Sequence, residues 1–113
     1  GYGLAFMGEQ DGFDILSEVI RTDPVWVQRR HAVDALGTIG HPRTLPVLTE
    51  ALNDVNVHVR LSAVRSLGKI GDPAAIAALT EALDDTEATT MHEPATVAVE
   101  ARKAIDALRK DAE

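Results

Sequence analysis

Three sets of residues in this 113-residue chain have the types and spacing to do chemistry. The densest is His92–Glu93, with Asp84, Asp85 and Glu87 nearby in sequence. Imidazole and carboxylate are the ligands left to a transition metal in a chain without cysteine. The stronger reading of the same stretch is a charged, solvated loop without fixed structure. The second set is two aspartate–arginine couples, Asp23 with Arg29 and Asp54 with Arg60, six residues apart each time. The third is a glutamate that recurs at positions 18, 50 and 81. Spacing for a Ser-His-Asp triad, a phosphate-cradling glycine loop or paired catalytic carboxylates is absent from the sequence. We therefore assign no catalytic residues, no metal ligands and no cofactor at this level.

The elements that must position these residues are copies of one another. Ala35, Leu36, Gly37, Thr38, Ile39, Gly40, His41, Pro42 recurs 31 residues later as Ser66, Leu67, Gly68, Lys69, Ile70, Gly71, Asp72, Pro73. Sliding residues 32–54 onto 63–85 matches 13 of 23 positions, and a fixed period near 30 residues marks a solenoid. Each copy reads as a helix end, a corner and a new helix. Gly40 and Gly71 stand where a left-handed residue closes a helix, and Pro42 and Pro73 suit the first turn of the next. Both glycines are expected at positive φ. His41 replaces Asp72 in the equivalent corner and is the poorer cap. Gly37 and Gly68 fall in a slot that Ala5 fills one repeat earlier, which points to close packing.

Taken in order, residues 1–22 form a partial repeat that opens partway through a helix, with a second helix over about 11–21. That opening suggests a piece of something longer, and an exposed first helix offers an edge for self-association. The next repeat spans 23–53, with Asp23 as N-cap and Pro24 at N1 of a helix running to Ile39, and Arg43–Asn53 as its partner. A further repeat spans 54–83: Asp54 caps a helix over about 56–70, and Asp72 with Pro73 opens its partner. A seven-residue insertion lies within residues 84–94, an acidic stretch expected to be an exposed, mobile loop. A terminal helix covers about 95–110; it carries Asp106 and Arg109 where corner glycines would stand. The fold class is all-α, a right-handed α-α superhelix of about three helix pairs. Leu67 is expected to be fully buried. Trp26, the single tryptophan, reads either as packed on the neighbouring repeat or as an exposed anchor.

Charge narrows the partners. The net charge of −7 has the wrong sign for a protein that lives on phosphate contacts. Residues 54–71 carry +2, but there is neither a basic run nor interleaved aromatics, so nucleic acid is set aside. No apolar run approaches the ~18 residues of a membrane span. No signal-peptide pattern opens the sequence, and the cytoplasm is the default expectation.

The Leu-Gly-x-Ile-Gly-x-Pro corner, the Leu-Thr-Glu-Ala-Leu second helix and the Asp/Arg couples resemble HEAT repeats, in particular the short class named after phycobilisome lyases. The resemblance covers almost the whole chain. It implies that Arg29 and Arg60 each reach an aspartate of the 23, 54, 85 series, as a ladder between neighbouring repeats. Ala98 stands where a third arginine would be, so the ladder is expected to end there.

The resemblance also implies that second helices line a concave inner face. That face would carry Glu18, Glu50 and Glu81 as an acidic column, beside Ile15, Val47 and Ala78, with Asp14, Pro46 and Ala77 adjoining. The expected function is a non-enzymatic scaffold or adaptor module. Its partner would be another protein, presenting a basic or mixed basic and apolar segment to this face. Against it stands the plain reading of a solvated helix face.

Two catalytic classes have repeats of this kind. HEAT-type deoxyhypusine hydroxylases bind di-iron through repeated His-Glu pairs, whereas here His31 is followed by Ala32, its counterpart is Ser62-Ala63, and only His92-Glu93 forms such a pair. A bilin-lyase-like enzyme subunit remains the alternative.

Overall fold

The computed structural model of the chain describes residues 9–87 and 96–112. Among these residues there are six α-helices: α1 Glu9–Thr22, α2 Trp26–Ile39, α3 Leu45–Ala51, α4 Val57–Ile70, α5 Ile76–Glu81 and α6 Val97–Ala112. Short 3-10 turns at Pro42–Thr44 and Pro73–Ala75 lead into α3 and α5, and a third, Ala82–Asp84, follows α5. The long helices α2, α4 and α6 pack side by side, and α1, α3 and α5 lie against them as a second layer. The 41 × 35 × 21 Å extents agree: the shortest is about two helix diameters of ~10 Å. The helix-pair solenoid expected from the 31-residue period is what the chain forms.

The repeat period survives in the core. Leu36, Leu67 and Ile105 occupy one repeat position and are 0%, 0% and 2% exposed. Leu48 and Leu79 are a second buried set, Val59 and Val97 a third, Ala63 and Ala101 a fourth. Leu67 is therefore as buried as its repeat position requires, on the helix that packs against both α2 and α6.

Both corners turn on left-handed glycines. Gly40 has φ 71° and Gly71 has φ 78°, and each N–H bonds the carbonyl four residues back, Leu36 or Leu67. A Cβ at such an angle costs roughly 1–2 kcal/mol, which is why the position is glycine. In the turns that follow, His41 Nδ1 accepts from the Arg43 N–H at 3.1 Å and Asp72 Oδ1 from the Ala74 N–H at 2.9 Å.

The helix starts depart from expectation. α2 begins at Trp26, and its N-cap, Val25, provides no side-chain bond. Asp23 instead accepts from the Val25 N–H at 2.8 Å, closing a turn before the helix. Asp54 likewise accepts from the Asn56 N–H, and Asn56, not Asp54, caps α4 by accepting from the His58 N–H at 2.8 Å. The aspartates stand one step early because their side chains hold the interhelix turn, and Asp54 also meets an arginine there.

That arginine is Arg29, whose Nε and Nη2 donate to Asp54 Oδ2 and Oδ1 at 2.8 and 3.0 Å. Its Nη1 donates to the Asp23 carbonyl at 2.8 Å. One repeat on, Arg60 Nη1 donates to the Asp54 carbonyl at 2.8 Å and its Nε to Asp85 Oδ2 at 2.6 Å, while Nη2 also pairs with Glu87. The expected ladder is present. The hydrogen bond with Asp54 raises the Arg29 pKa above its ordinary value. For Arg60, burial works against the charge, and the bonds with Asp85 and Glu87 outweigh it, so its pKa is also raised.

Asp85 is half-buried, and with Glu87 it is held by Arg60. The first residues of the expected mobile insertion are thus fixed by the ladder. Residues 88–95, with His92 and Glu93, lie outside the described residues, as do residues 1–8 of the partial first repeat.

Candidate functional site

The short helices α3 and α5 have two turns or fewer, so neighbouring second helices do not close against each other along their length. Two troughs remain between them. The first, of about 360 Å³, lies between α1 and α3 and is lined by Phe13, Asp14, Ser17, Glu18, Arg21, Arg43, Pro46 and Val47. The second, of about 270 Å³, lies between α3 and the α5 end, where Thr49, Leu52 and Asn53 face Ala78, Glu81, Ala82 and Asp84, with Asp85 at the border.

The expected surface residues separate accordingly. Asp14, Glu18, Pro46 and Val47 meet at the first trough, and Ala78 and Glu81 at the second. Ile15 and Ala77 are exposed but line neither. Val47 is a correction: it is 2% exposed and belongs to the core, not to an apolar surface column. Repeat transfer from Ala78 placed it outward, but α1, a longer neighbour than either short helix, covers that flank of α3.

The acidic column is corrected as well. Glu50 does not stand free between Glu18 and Glu81; its Oε2 accepts from Arg21 Nη2 at 2.8 Å. The hydrogen bond to Glu50 raises the Arg21 pKa. Both side chains are more than half exposed, so the pair is worth little energetically. Its effect is on the map of charge. With Arg43 placed over the Phe13 ring at 4.3 Å, the first trough has mixed charge.

The second trough keeps its acidic character. Glu81 and Asp84 are exposed carboxylates on its walls, Thr49 and Asn53 add polar groups, and Leu52, Ala78 and Ala82 supply apolar surface. No lysine or arginine lines it. Sequence reasoning missed Arg21, and it named Asp84 only beside His92 and not for this face. Arg21 carried a usable signal: it stands one helical turn after Glu18, on the face that points along the stack toward the glutamate of the next repeat. Asp84 carried none, because it was assigned to the insertion.

Trp26 resolves in favour of packing on the neighbouring repeat. It is half-buried and stacks on His58 of α4, ring centroids 4.9 Å apart at 21°. Among the described residues no group of three or more histidines and carboxylates is placed to hold a metal ion. No described helix is long and apolar enough to cross a membrane.

Comparison with known proteins agrees with this architecture. Among solved structures, human deoxyhypusine hydroxylase in complex with glycerol superposes with a TM-score of 0.75 at 24% identity, over 96% of this chain. The chain spans 36% of the length of that protein, and the likeness shows the fold alone. No curated protein sequence matches. The family profile described as HEAT repeats matches residues 13–100, the span that holds both glycine corners, both rungs of the arginine ladder and the start of α6. Period, corner, ladder and profile coincide, and the chain belongs to the HEAT-repeat family.

Proposed function

We propose that this chain is a non-enzymatic protein-binding module that takes a basic, partly apolar segment of another protein on the face of its second helices. The observation that supports this reading most is the second trough. Its walls carry Glu81 and Asp84 with no lysine or arginine in the lining, and its apolar surface comes from Leu52, Ala78 and Ala82. About 270 Å³ accommodates one lysine or arginine side chain, whose aliphatic stem packs on alanine and leucine while its charged end meets carboxylate. The acidic group reduces from three repeat-related glutamates to Glu81 with Asp84, since Glu50 is engaged by Arg21. Charge complementarity of this kind acts on association rate and specificity more than on stability.

The test is the double variant Glu81→Gln/Asp84→Asn, assayed against the partner recovered by pull-down from the native cell and mass spectrometry. Thermal stability should barely move, while affinity falls about tenfold or more and loses much of its salt dependence. Glu50→Gln, on a carboxylate already paired, should change affinity far less. Unchanged binding by the double variant would overturn the assignment of this trough.

A further inference from the structure

A second groove lies on the other layer of the solenoid, between the long helices α2 and α4. It has a volume of about 210 Å³ and is lined by Arg30, Asp34, His58, Leu61, Ser62 and Arg65. Two guanidinium groups and an imidazole face one carboxylate there, in a chain whose net charge is −7. An aromatic platform lies at its edge. Trp26 stacks on His58 across the repeat junction, and the Arg30 guanidinium carbon lies 5.8 Å from the Trp26 ring.

Arg30 is what sets this groove apart. Arg21, Arg29 and Arg60 each hold a carboxylate within 2.8 Å or closer, and Arg65 shares Glu100 at 3.6 Å. Arg30 is in no ion pair among the described residues, and its Nε is buried with no hydrogen-bond partner. A buried donor left unpaired costs about 1–3 kcal/mol, so its retention asks for an acceptor that binding would bring. The Trp26 ring lies beside this guanidinium, whose planar fork is the geometry that matches a carboxylate bidentately.

We propose that this groove captures a carboxylate side chain from an acidic segment of a partner protein, with Arg30 as the fork and Arg65 and His58 as flanking donors. A peptide carboxylate fits better than a phosphate chain. Asp34 stands inside the groove and repels a phosphate dianion more than a carboxylate monoanion, and no basic run or interleaved aromatics continue from the groove to follow a nucleic-acid strand. The inference concerns a different face from the acidic trough, so either reading can fail alone.

Trp26 is the single tryptophan and stacks directly on a groove residue, so its emission reports occupancy without a label. The full chain is titrated at low salt with acetylated hexaglutamate, with inorganic phosphate and with a single-stranded oligodeoxythymidine. The expected result is a saturable change in emission with hexaglutamate. Its affinity should weaken about tenfold in Arg30→Gln and fall as salt rises, with Arg109→Gln, which removes an exposed positive charge on α6 outside the groove, indistinguishable from the parent. If Arg30→Gln does not fold, as judged by circular dichroism, Arg65→Gln is the second variant and should weaken binding in the same direction. No saturable response to hexaglutamate, equal affinity in the folded arginine variant, or tighter binding of phosphate or the oligonucleotide would each overturn the proposal.

Discussion

The two junctions between long helices, α2 with α4 and α4 with α6, use the same repeat positions and differ in quality. At the first, Gly37 lies so close to α4 that a Cβ there would come within 2.4 Å of Ser66 Oγ and 3.0 Å of its Cα. The Ser66 hydroxyl donates to the Val33 carbonyl at 3.1 Å, so a buried polar group is satisfied across the helix pair. The ladder pair is bidentate, with both side chains about nine-tenths hidden (Arg29 11%, Asp54 9% exposed). At the second junction Gly68 faces Ala104, and an added Cβ would sit 3.2 Å from the alanine methyl. Asp85 is 23% exposed, its second bond to Arg60 stretches to 3.5 Å, and Glu87 shares the arginine.

The missing arginine explains part of this. In the complete rungs, Arg29 and Arg60 each donate to the carbonyl of their own repeat's aspartate. At the third position the Ala98 N–H takes that role, donating to the Asp85 carbonyl at 2.8 Å. A backbone donor replaces the side chain, so the turn is kept while the link to a further repeat is lost. Repetition preserves geometry only as far as the next copy supplies its half of each contact.

The largest expected difference lies in the ladder. Asp54→Ala leaves Arg29 almost buried without its carboxylate and should cost about 2–4 kcal/mol. Asp85→Ala leaves Arg60 paired with Glu87 and should cost about 1 kcal/mol. Urea denaturation of the two variants measures the gap, and equal losses would erase the distinction between junctions. The arginine pKa values are raised in the folded state, so their contribution is complete below the ordinary arginine value and is lost only as pH climbs through the raised one. The gap should therefore be the same at about pH 9 as at neutrality.

Next in size is the pair of interface glycines, where the sign should differ. In Gly37→Ala the methyl meets Ser66 at its side chain and backbone, so the helices must separate. Overpacking of ~1–3 kcal/mol exceeds the ~1 kcal/mol that alanine gains in a helix. In Gly68→Ala a shift of a few tenths of an ångström suffices, and helix propensity brings the change to neutral or slightly stabilising. Thermal melts of both variants decide it. A stabilised Gly37→Ala would mean the first junction is no tighter than the second.

What the sequence made legible follows from the same contrast. Core positions and corner glycines were readable because each is copied and has one physical use, burial or a left-handed turn, while the pairing of the ladder partners came from the resemblance to HEAT repeats. Val47 was misread because burial is set by the neighbour that covers a residue, and α1 does not resemble the helix one repeat on. Glu50 was misread for a related reason: a column of like residues says nothing of the arginine that meets one of them. The Arg30 groove was invisible because Trp26 and Arg30 come from one repeat and His58 from the next, at positions that are not copies of each other.

The smallest expected effect inverts the ranking of the junctions and belongs to the corners. Gly40–Pro42 serves the tightly packed repeat, yet its cap is an imidazole nitrogen at 3.1 Å, whereas the corner beside the looser junction has a carboxylate at 2.9 Å. An ionised acceptor forms the stronger bond to a turn N–H and also suits the positive end of the helix that follows. An imidazole accepts only through its unprotonated nitrogen. Asp72→Ala should then cost about 1 kcal/mol and His41→Ala about half as much, while His41→Asp should stabilise by a few tenths of a kcal/mol. Equilibrium unfolding in urea resolves differences of this size when the three variants are measured together. If His41→Asp gives no gain, Gly40 and Pro42 fix the first corner by themselves, and cap chemistry is not what distinguishes the two repeats.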